Sequence, residues 1–387
     1  MKLGIDASNI RTGGGQVHLV ELLKHVDVDQ FGIEKIVIWS CKETLDKIET
    51  KLWLKKCHVP VMEQKFLHRA LWQKNKLHIK LNEEKCDILF VPGGSFTTKY
   101  RPVVTMSQNL IPFELTEILR YGVSLSTIRF ILLRFFQSLS FKNANGLVFL
   151  TEYAKDSVLK ITGPIKGVKA VISHGSDKGF VRTPGLQKEI NLYSKEYPFQ
   201  LLYVSTIEPY KHHHQVIDAV TKLRTAGFPV ILKLIGGANS AQLNRLIMKI
   251  KNADPLGEYV QYLGFNTREE ILSEYNKADI FIFASSCETF GQILLEGMAS
   301  GLPIVCSDLR PMTDILGDAG VYFDPENADS IATAILKLIE SPKLREKNAK
   351  MAFDRAKKYS WIRCTTETFS FLSQVSDEYK KNKITFT

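Results

Sequence analysis

The feature that most constrains the fold is a regular alternation of short apolar segments with segments of helical periodicity. It is clearest in the second half of the chain. The strands predicted there are 200–205, 230–235, 260–263, 280–283, 303–306 and 321–323, and the predicted helices are 212–226, 239–251, 268–277, 292–300, 327–340 and 342–358. Strands that alternate with helices form parallel sheets with right-handed crossovers. The sequence therefore predicts an α/β protein.

The first half shows the same alternation. Its predicted strands are 2–7, 35–39, 87–91, 103–106, 146–150 and 169–172, with helical patterns notably at 63–84 and 124–142. A run with clustered glycine and proline and little apolar periodicity, 175–198, separates the halves. We therefore predict two Rossmann-like parallel-sheet domains, 1–180 and 190–359, which face each other across a cleft. Ser360 is a predicted N-cap, and the terminal helix 360–387 is expected to pack back on the first domain.

Length and composition bound the class of protein. The 387 residues allow two sizeable cores, and 44% hydrophobic with 24% charged residues is typical of soluble globular proteins. No apolar run reaches the roughly 18 residues of a membrane helix, and the first apolar run stops at Asp6, which does not fit a signal peptide. Six dispersed cysteines without a C-x-x-C pair indicate a reducing compartment rather than a disulfide framework or a zinc site. We expect a cytoplasmic protein.

The net charge of +10 lies entirely in the first half. Residues 1–190 contain 28 Lys and Arg against 18 Asp and Glu, whereas residues 191–387 contain 23 of each. This asymmetry indicates a lobe that meets an anionic surface, either a nucleic acid or a membrane leaflet. A basic surface that serves solubility alone is an equal alternative.

The strongest motif follows the predicted strand 280–283 and reads SCETFGQILLEGMA from Ser286 to Ala299. Gly291 lets a ligand approach the backbone closely. The helix that begins there offers unpaired N–H groups and a positive dipole end, which suit a phosphate. A carboxylate on each side, Glu288 and Glu296, suits the hydroxyls of two sugars that flank that phosphate. For two glutamates alone, a solvated loop acid and a solvated helix acid would be the better interpretation.

These residues resemble the E-x7-E motif of the GT-B glycosyltransferases of family GT4. The similarity continues through GLPIVCSD at 301–308 and ILGDAGVYFDP at 315–325, and it is strong in the C-terminal half but loose in the N-terminal half. The resemblance implies that Glu288 reaches the donor sugar near the transferred carbon and that Glu296 holds the ribose of the nucleotide. It also implies retention of the anomeric configuration and no catalytic metal.

A lysine next to a predicted strand end provides a cation. Lys211 precedes a helix and can point its ammonium at a diphosphate, whose charge must be neutralised as it departs. GT4 members usually carry both Arg and Lys here, whereas this chain has Ser205 or Thr206 in the place of the Arg. This predicts one fewer cation at the site, or another basic residue in its place. The adjacent His212, His213 and His214 point in different directions on a helix and are interpreted as a helix start, not a metal site.

The remaining matches to the family are weaker. Gly13 to Gly15 resembles the glycine loop that packs against the diphosphate, although an ordinary turn would look the same. Gln108 and Asn109 occupy positions where many GT4 enzymes have His-Asp, and neither amide can act as a general base. The residues implied as catalytic are Glu288, Lys211, Gln108 and Asn109. Those implied as donor-binding are Gly14, Gly15, Thr206, Gly236, Gly264, Phe290, Gly291, Gln292 and Glu296.

Residues 51–85 combine nine basic residues with Trp53, Phe66 and Trp72. This pattern is typical of a basic amphipathic surface on an anionic leaflet, with Arg120, Arg129 and Arg134 adding to it. A core-facing stripe with a solvated basic side is the alternative.

Together these observations predict a GT4-like retaining glycosyltransferase. It would move a sugar from a nucleotide diphosphate sugar to a hydroxyl, on a lipid-linked acceptor or in surface polysaccharide or lipopolysaccharide synthesis. The nucleotide sugar is a co-substrate, so no cofactor or metal is expected, and no nucleic acid. The expected location is the cytoplasm, including peripheral contact with the inner face of the cytoplasmic membrane. The alternatives are a sugar-nucleotide epimerase of the same architecture and a non-catalytic protein that binds nucleotide sugar or nucleic acid.

Overall fold

The computed structural model describes residues 1–385, with side chains described as far as Lys383. The last two residues of the predicted helix 360–387 lie outside the described residues. The chain forms two compact units. The first unit contains Met1–Ile118, Gly122–Gly175 and the segment from Ser360 onward, and the second contains Leu119–Tyr121 and Ser176–Tyr359. Residues 176–180, which the sequence analysis assigned to the first domain, therefore belong to the second unit.

The first unit is built on a parallel sheet of seven strands in the order β3-β2-β1-β4-β5-β6-β7. The strands are β1 Lys2–Asp6, β2 Lys35–Ser40, β3 Leu54–His58, β4 Ile88–Val91, β5 Val103–Ser107, β6 Gly146–Phe149 and β7 Val168–Val171. The helices are α1 Gly14–His25, α2 Lys42–Asp46, α3 Phe66–Trp72, α4 His78–Glu83, α5 Leu115–Leu119, α6 Leu125–Asn143 and α7 Glu152–Thr162, with a π-helical turn between α3 and α4. The central strands β4 and β5 are buried along their whole length, as strands covered by helices on both faces must be.

Strand β3 was not predicted from the sequence. It reads LKKCH, and of its five residues only Leu54 is buried. It pairs with β2 at the edge of the sheet, where lysines are tolerated because one side faces solvent. An edge strand with this burial pattern contains no apolar run, so it cannot be recognised in the sequence by its apolar residues.

The second unit has a parallel sheet of six strands in the order β10-β9-β8-β11-β12-β13. The strands are β8 Phe199–Val204, β9 Val230–Ile235, β10 Val260–Gly264, β11 Ile280–Phe283, β12 Ile304–Ser307 and β13 Val321–Phe323. The helices are α8 His213–Thr225, α9 Ser240–Ala253, α10 Arg268–Lys277, α11 Gln292–Ala299, α12 Met312–Leu316, α13 Ala328–Ile339 and α14 Pro342–Ala356. From β8 the sheet grows outward in one direction, and from β11 in the other. The boundary between β8 and β11 is therefore the topological switch point of this sheet.

The chain returns to the first unit in its last helix, α15 Trp361–Thr385. The Ser360 hydroxyl accepts a hydrogen bond from the Arg363 N–H at 3.1 Å, which confirms the predicted N-cap. Phe369 is buried, and its ring lies 5.9 Å from that of Phe31. Among the helices of residues 1–385, none combines the length and the apolar character that a bilayer span requires.

Candidate functional site

Two loops of the second unit meet because their strands are neighbours. Strands β8 and β11 are parallel and paired, so both end at the same edge of the sheet. The loop after β8 contains a short 3-10 turn, Pro209–Lys211, and the loop after β11 leads through Glu288 into α11. The switch point between these strands is where ligands bind in open parallel sheets. Lys211 and Glu288, both predicted site residues, thus lie in the loops that follow the two central strands of this sheet.

Lys211 and Glu288 form an ion pair, from the ammonium to Oε1 of the carboxylate. The side chains are only 6% and 17% exposed. The ammonium also lies 5.0 Å from the centre of the Tyr210 ring and 5.4 Å from that of the Phe283 ring. Aromatic faces attract a cation, and the effect grows where water is excluded. The cation is therefore held in place even though its carrier is a flexible side chain.

Backbone hydrogen bonds fix the two loops to each other. The Ser286 N–H donates to the Tyr210 carbonyl at 2.9 Å, and the Ser286 hydroxyl donates to the same oxygen at 3.3 Å. The buried Tyr203 hydroxyl donates to the Lys211 carbonyl at 2.7 Å. The turn that carries Lys211 is therefore tied both to the sheet below it and to the loop that carries Glu288. Tyr203, Tyr210 and Phe283 were not predicted as site residues, although the position of Tyr210 next to Lys211 was a usable signal.

Helix α11 begins at a residue whose conformation requires glycine. Gly291 is the N-cap, with φ +92°, in the left-handed region that only glycine enters without strain. The helix spans eight residues, Gln292–Ala299. The unpaired N–H groups of its first turn lie at its N-terminus, which the loop of Glu288 joins. Phe290 is 1% exposed and packs edge-on against Tyr359. Its side chain is therefore part of the core, and only its backbone is available to a donor.

Glu296 lies on α11, eight residues after Glu288, and is half-buried. Burial, with a contribution from the nearby Asp177, raises the pKa of its carboxyl to about 8, and Arg268 opposes this shift. Arg268 and Asp177 are themselves ion-paired, so most of the positive charge near Glu296 is already balanced. Below about pH 8 this carboxyl is neutral and can both donate and accept a hydrogen bond, as the hydroxyls of a sugar require. Neither Asp177 nor Arg268 was found by sequence analysis.

The three histidines have separate surroundings, as the sequence predicted. His212 is the N-cap of α8 in the left-handed region, with φ 50°. His213 is buried, stacks on Tyr203 at 4.8 Å and shares a hydrogen bond of 3.0 Å with the Ser205 hydroxyl. Burial lowers the pKa of His213 to about 3, and that of His212 to about 4, where Arg120 contributes. These histidines are neutral at physiological pH. Among residues 1–385 no group of three or more His, Cys, Asp or Glu side chains could hold a metal ion.

The other predicted donor-binding residues of the second unit lie near strand ends. Thr206 is exposed and is the second residue after β8. A Cβ at Gly236 would lie 1.9 Å from the Ser205 carbonyl oxygen, so this glycine allows the ends of β8 and β9 to approach. Gly264, with φ +74°, accepts a 2.9 Å hydrogen bond from the Gly236 N–H. Gln292, half-buried, is the first residue of α11.

Four predicted site residues belong to the first unit. Gly14 has open space where a side chain would be, and a Cβ at Gly15 would lie 3.2 Å from Oε1 of Gln108. The Gln108 amide donates to the Pro92 carbonyl at 3.2 Å. Asn109 Oδ1 accepts the Ile111 N–H at 3.1 Å, which forms a local turn. Gly15 and Gln108 are thus brought together, whereas Asn109 stabilises its own loop.

Comparison with known proteins identifies the second unit. Residues 187–355 match the family model described as glycosyl transferases group 1. The second unit belongs to this family. The resemblance predicted from the motif at 286–299 is therefore confirmed. O-antigen chain mannosyltransferase B of Escherichia coli is 31% identical over 193 residues, which are 48% of each chain. The match thus spans about half the length of this relative.

Solved structures extend the likeness to the whole fold. The chain is similar to sucrose-phosphate synthase from Thermosynechococcus elongatus, with a TM-score of 0.73 and 15% identity over 97% of this chain and 99% of that one. It is also similar to WaaG, a glycosyltransferase involved in lipopolysaccharide biosynthesis, with a TM-score of 0.69 and 14% identity over 96% and 99% of the two chains. The two parallel-sheet units have the GT-B fold, as predicted.

Proposed function

We propose that this chain transfers a sugar from a nucleotide diphosphate sugar to a hydroxyl group. One observation carries the proposal. A buried lysine, a loop glutamate and the N-terminus of α11 converge at the switch point of a sheet that belongs to a group 1 glycosyltransferase unit. A cation and unpaired N–H groups suit a diphosphate, and carboxylates suit sugar hydroxyls.

The geometry of the second unit supports a division of roles. In this proposal Lys211 and the N–H groups from Gly291 onward bind the diphosphate. Glu288, one loop away from Lys211, orients the donor sugar, and Glu296 holds the ribose. The ion pair between Lys211 and Glu288 means that the donor exchanges partners on arrival. The diphosphate takes the ammonium, and the freed carboxylate turns to a sugar hydroxyl.

The proposed reaction retains the anomeric configuration. The bond between the anomeric carbon and the diphosphate oxygen breaks, and its electron pair goes to the diphosphate. Lys211 and the α11 N–H groups stabilise the charge that develops there. The acceptor oxygen then bonds to the same face of the carbon, and its proton passes to the departing phosphate oxygen. Gln108 and Asn109 are amides and accept no proton near neutral pH, so the leaving group is the proposed base.

The proposed acceptor is a lipid-linked saccharide or a growing surface polysaccharide. Two proteins similar to this chain bear names from O-antigen and lipopolysaccharide synthesis, which supports this class. Together with the basic first half of the sequence, it also supports peripheral contact with the inner face of the cytoplasmic membrane.

A donor screen followed by product analysis tests the proposal. Thermal shift against UDP-, GDP-, ADP- and dTDP-sugars should single out one nucleotide, because only a ligand that binds the folded state raises the unfolding temperature. The selected donor should then release nucleoside diphosphate, and faster when acceptor saccharides are added. An epimerised donor without release would show the sugar-nucleotide epimerase instead, and binding without any turnover would show a non-catalytic protein.

A further inference from the structure

Helix α6 turns an apolar face toward solvent. Its exposed apolar side chains are Leu125, Ile128, Ile131, Leu132, Phe135, Phe136 and Leu139, with exposed fractions from 38% to 85%. At about 100° per residue these seven positions fall within an arc of about 140°. The buried residues Gln137, Ser140 and Phe141 lie on the opposite side. The arrangement is the reverse of an ordinary surface helix, whose apolar face is the buried one.

The apolar face continues onto α3. The rings of Phe66 and Phe136 have centroids 6.1 Å apart, and Leu67 and Leu71 are 71% and 57% exposed. The segment from Phe96 to Thr97 holds the two helices, because the Phe96 N–H donates to a hydroxyl of α6 at 3.0 Å and the Thr97 hydroxyl donates to a carbonyl of α3 at 2.8 Å. The exposed apolar residues of α6 and of α3 thus form one continuous patch, called here the α3–α6 surface.

The charge around the α3–α6 surface has one sign. Neither 64–82 nor 118–143 contains an aspartate or a glutamate. In the part of the chain that the structure describes, none of the following six basic residues takes part in an ion pair: Lys65, Lys74, Lys76, Arg129, Arg134 and Lys142. Three other basic residues of the predicted amphipathic segment 51–85 differ from these six because they are ion-paired. Lys51, Lys55 and Lys80 pair with Glu49, Glu84 and Glu83.

We propose that the α3–α6 surface docks on an anionic lipid bilayer, with α6 lying in the plane of the interface. An exposed apolar face with a cationic border fits lipid acyl chains below negatively charged headgroups. A second copy of this chain would bring the same positive charges together, which opposes self-association through this face. The inference deepens the membrane contact of the proposed function and rests on it. Within 51–85 it limits the contact to α3 and its neighbouring lysines, and it makes α6 the main contact.

Vesicle flotation with matched variants tests the surface. Wild type should float with vesicles of equal parts phosphatidylcholine and phosphatidylglycerol but not with pure phosphatidylcholine. Binding should weaken between about 0.1 M and about 1 M salt, where the Debye length falls from about 10 to about 3 Å. The double variant Leu132→Glu/Phe135→Glu should lose at least tenfold in partition. The control Met248→Glu, at a residue 65% exposed on α9 of the other unit, should bind like wild type.

The charge is tested in the same way. The double variant Arg129→Glu/Lys74→Glu should lose more than tenfold, since each basic residue near an anionic leaflet contributes about fivefold. Lys347→Glu, at an exposed position on α14, is the control. Thermal unfolding of each variant checks that it folds, and its donor hydrolysis should equal that of wild type.

The outcomes separate the claims. Wild type that floats, together with patch variants that float equally well, overturns the α3–α6 surface and leaves membrane contact elsewhere. Wild type that does not float with anionic vesicles overturns both membrane statements. Donor hydrolysis that is absent from wild type overturns the proposed glycosyl transfer, whatever the vesicles show.

Discussion

The ion pair between Lys211 and Glu288 joins two loops at the switch point of the second sheet, and both side chains are largely buried. Its members are 6% and 17% exposed, so each charge has exchanged most of its water for the other. Removing one partner of such a pair leaves the other without compensation. Single substitutions here therefore change folding stability as well as ligand binding, and both must be measured.

Lys211→Ala should weaken binding of the nucleotide sugar and of the free nucleoside diphosphate alike. A lost charge-assisted contact costs about 1.5–3 kcal/mol, which is roughly 10- to 150-fold in affinity. Lys233→Ala is the matched control, because Lys233 is also ion-paired and is 14% exposed. Calorimetry at a temperature where both variants are folded measures the affinities. Equal affinity of Lys211→Ala and wild type for the diphosphate would remove this lysine from the site.

The two glutamates should fail in different ways. Glu288→Gln should lower kcat and leave nucleoside diphosphate affinity nearly unchanged, because its proposed contact is with the transferred sugar. Glu296→Gln should raise KM for the donor and weaken the free nucleotide equally, since a contact made alike in ground and transition states changes KM alone. Steady-state kinetics and nucleotide titration give both numbers. The same profile for both variants would contradict the division of roles.

The raised pKa of Glu296 predicts a pH-dependent stability. Unfolded chains ionise this carboxyl near pH 4.5, whereas the folded chain keeps it neutral up to about pH 8. The unfolded state is therefore favoured increasingly as pH rises between these values. Glu296→Gln removes that loss, so its unfolding temperature relative to wild type should increase from pH 5 to pH 8 and then level off. Differential scanning fluorimetry across this range measures it, and a pH-independent difference would place the carboxyl in water.

At the scale of elements, helices and strands with a regular apolar periodicity were predictable, whereas an edge strand with a single buried residue was not. Strand β13 at 321–323 and helix α10 at 268–277 have the bounds that the sequence predicted. Strand β3 was missed because only one of its five residues is buried. Helix α6 was predicted at 124–142 and found at 125–143, but which of its faces is buried depends on tertiary packing.

The N-cap of α15 allows an element-scale test. Ser360→Ala should destabilise the chain by about 1 kcal/mol, because the Arg363 N–H loses its acceptor. Ser370→Ala, at an exposed position inside the same helix, should be neutral or slightly stabilising, since alanine is the better helix former. Urea unfolding gives both free energies of unfolding. A cost at Ser370 as large as that at Ser360 would show that the effect is not capping.

At the scale of the whole molecule, the residues of the candidate site could be predicted from the sequence more closely than the α3–α6 surface could. Lys211, Glu288 and Gly291 were singled out because the residues around them resemble family GT4, and the structure pairs Lys211 with Glu288. Tyr210 and Phe283 support Lys211 through packing, which appears only when β8 and β11 are placed side by side. The +10 charge of the first half was read from composition, but which lysines are ion-paired depends on tertiary neighbours such as Glu84.

Hydrogen exchange can separate the two activities proposed for the two units. A nucleoside diphosphate at about 100 times its dissociation constant stabilises the state that binds it by about 2.7 kcal/mol. Protection should increase in the loops 205–212 and 284–291 and in the first turn of α11, while α3 and α6 remain at their unliganded rates. Anionic vesicles should produce the opposite pattern, because lipid covers α6 and leaves the loop of Lys211 uncovered. Protection of α6 by the nucleotide, as strong as that of the loop at 284–291, would contradict the assignment of these ligands to different units.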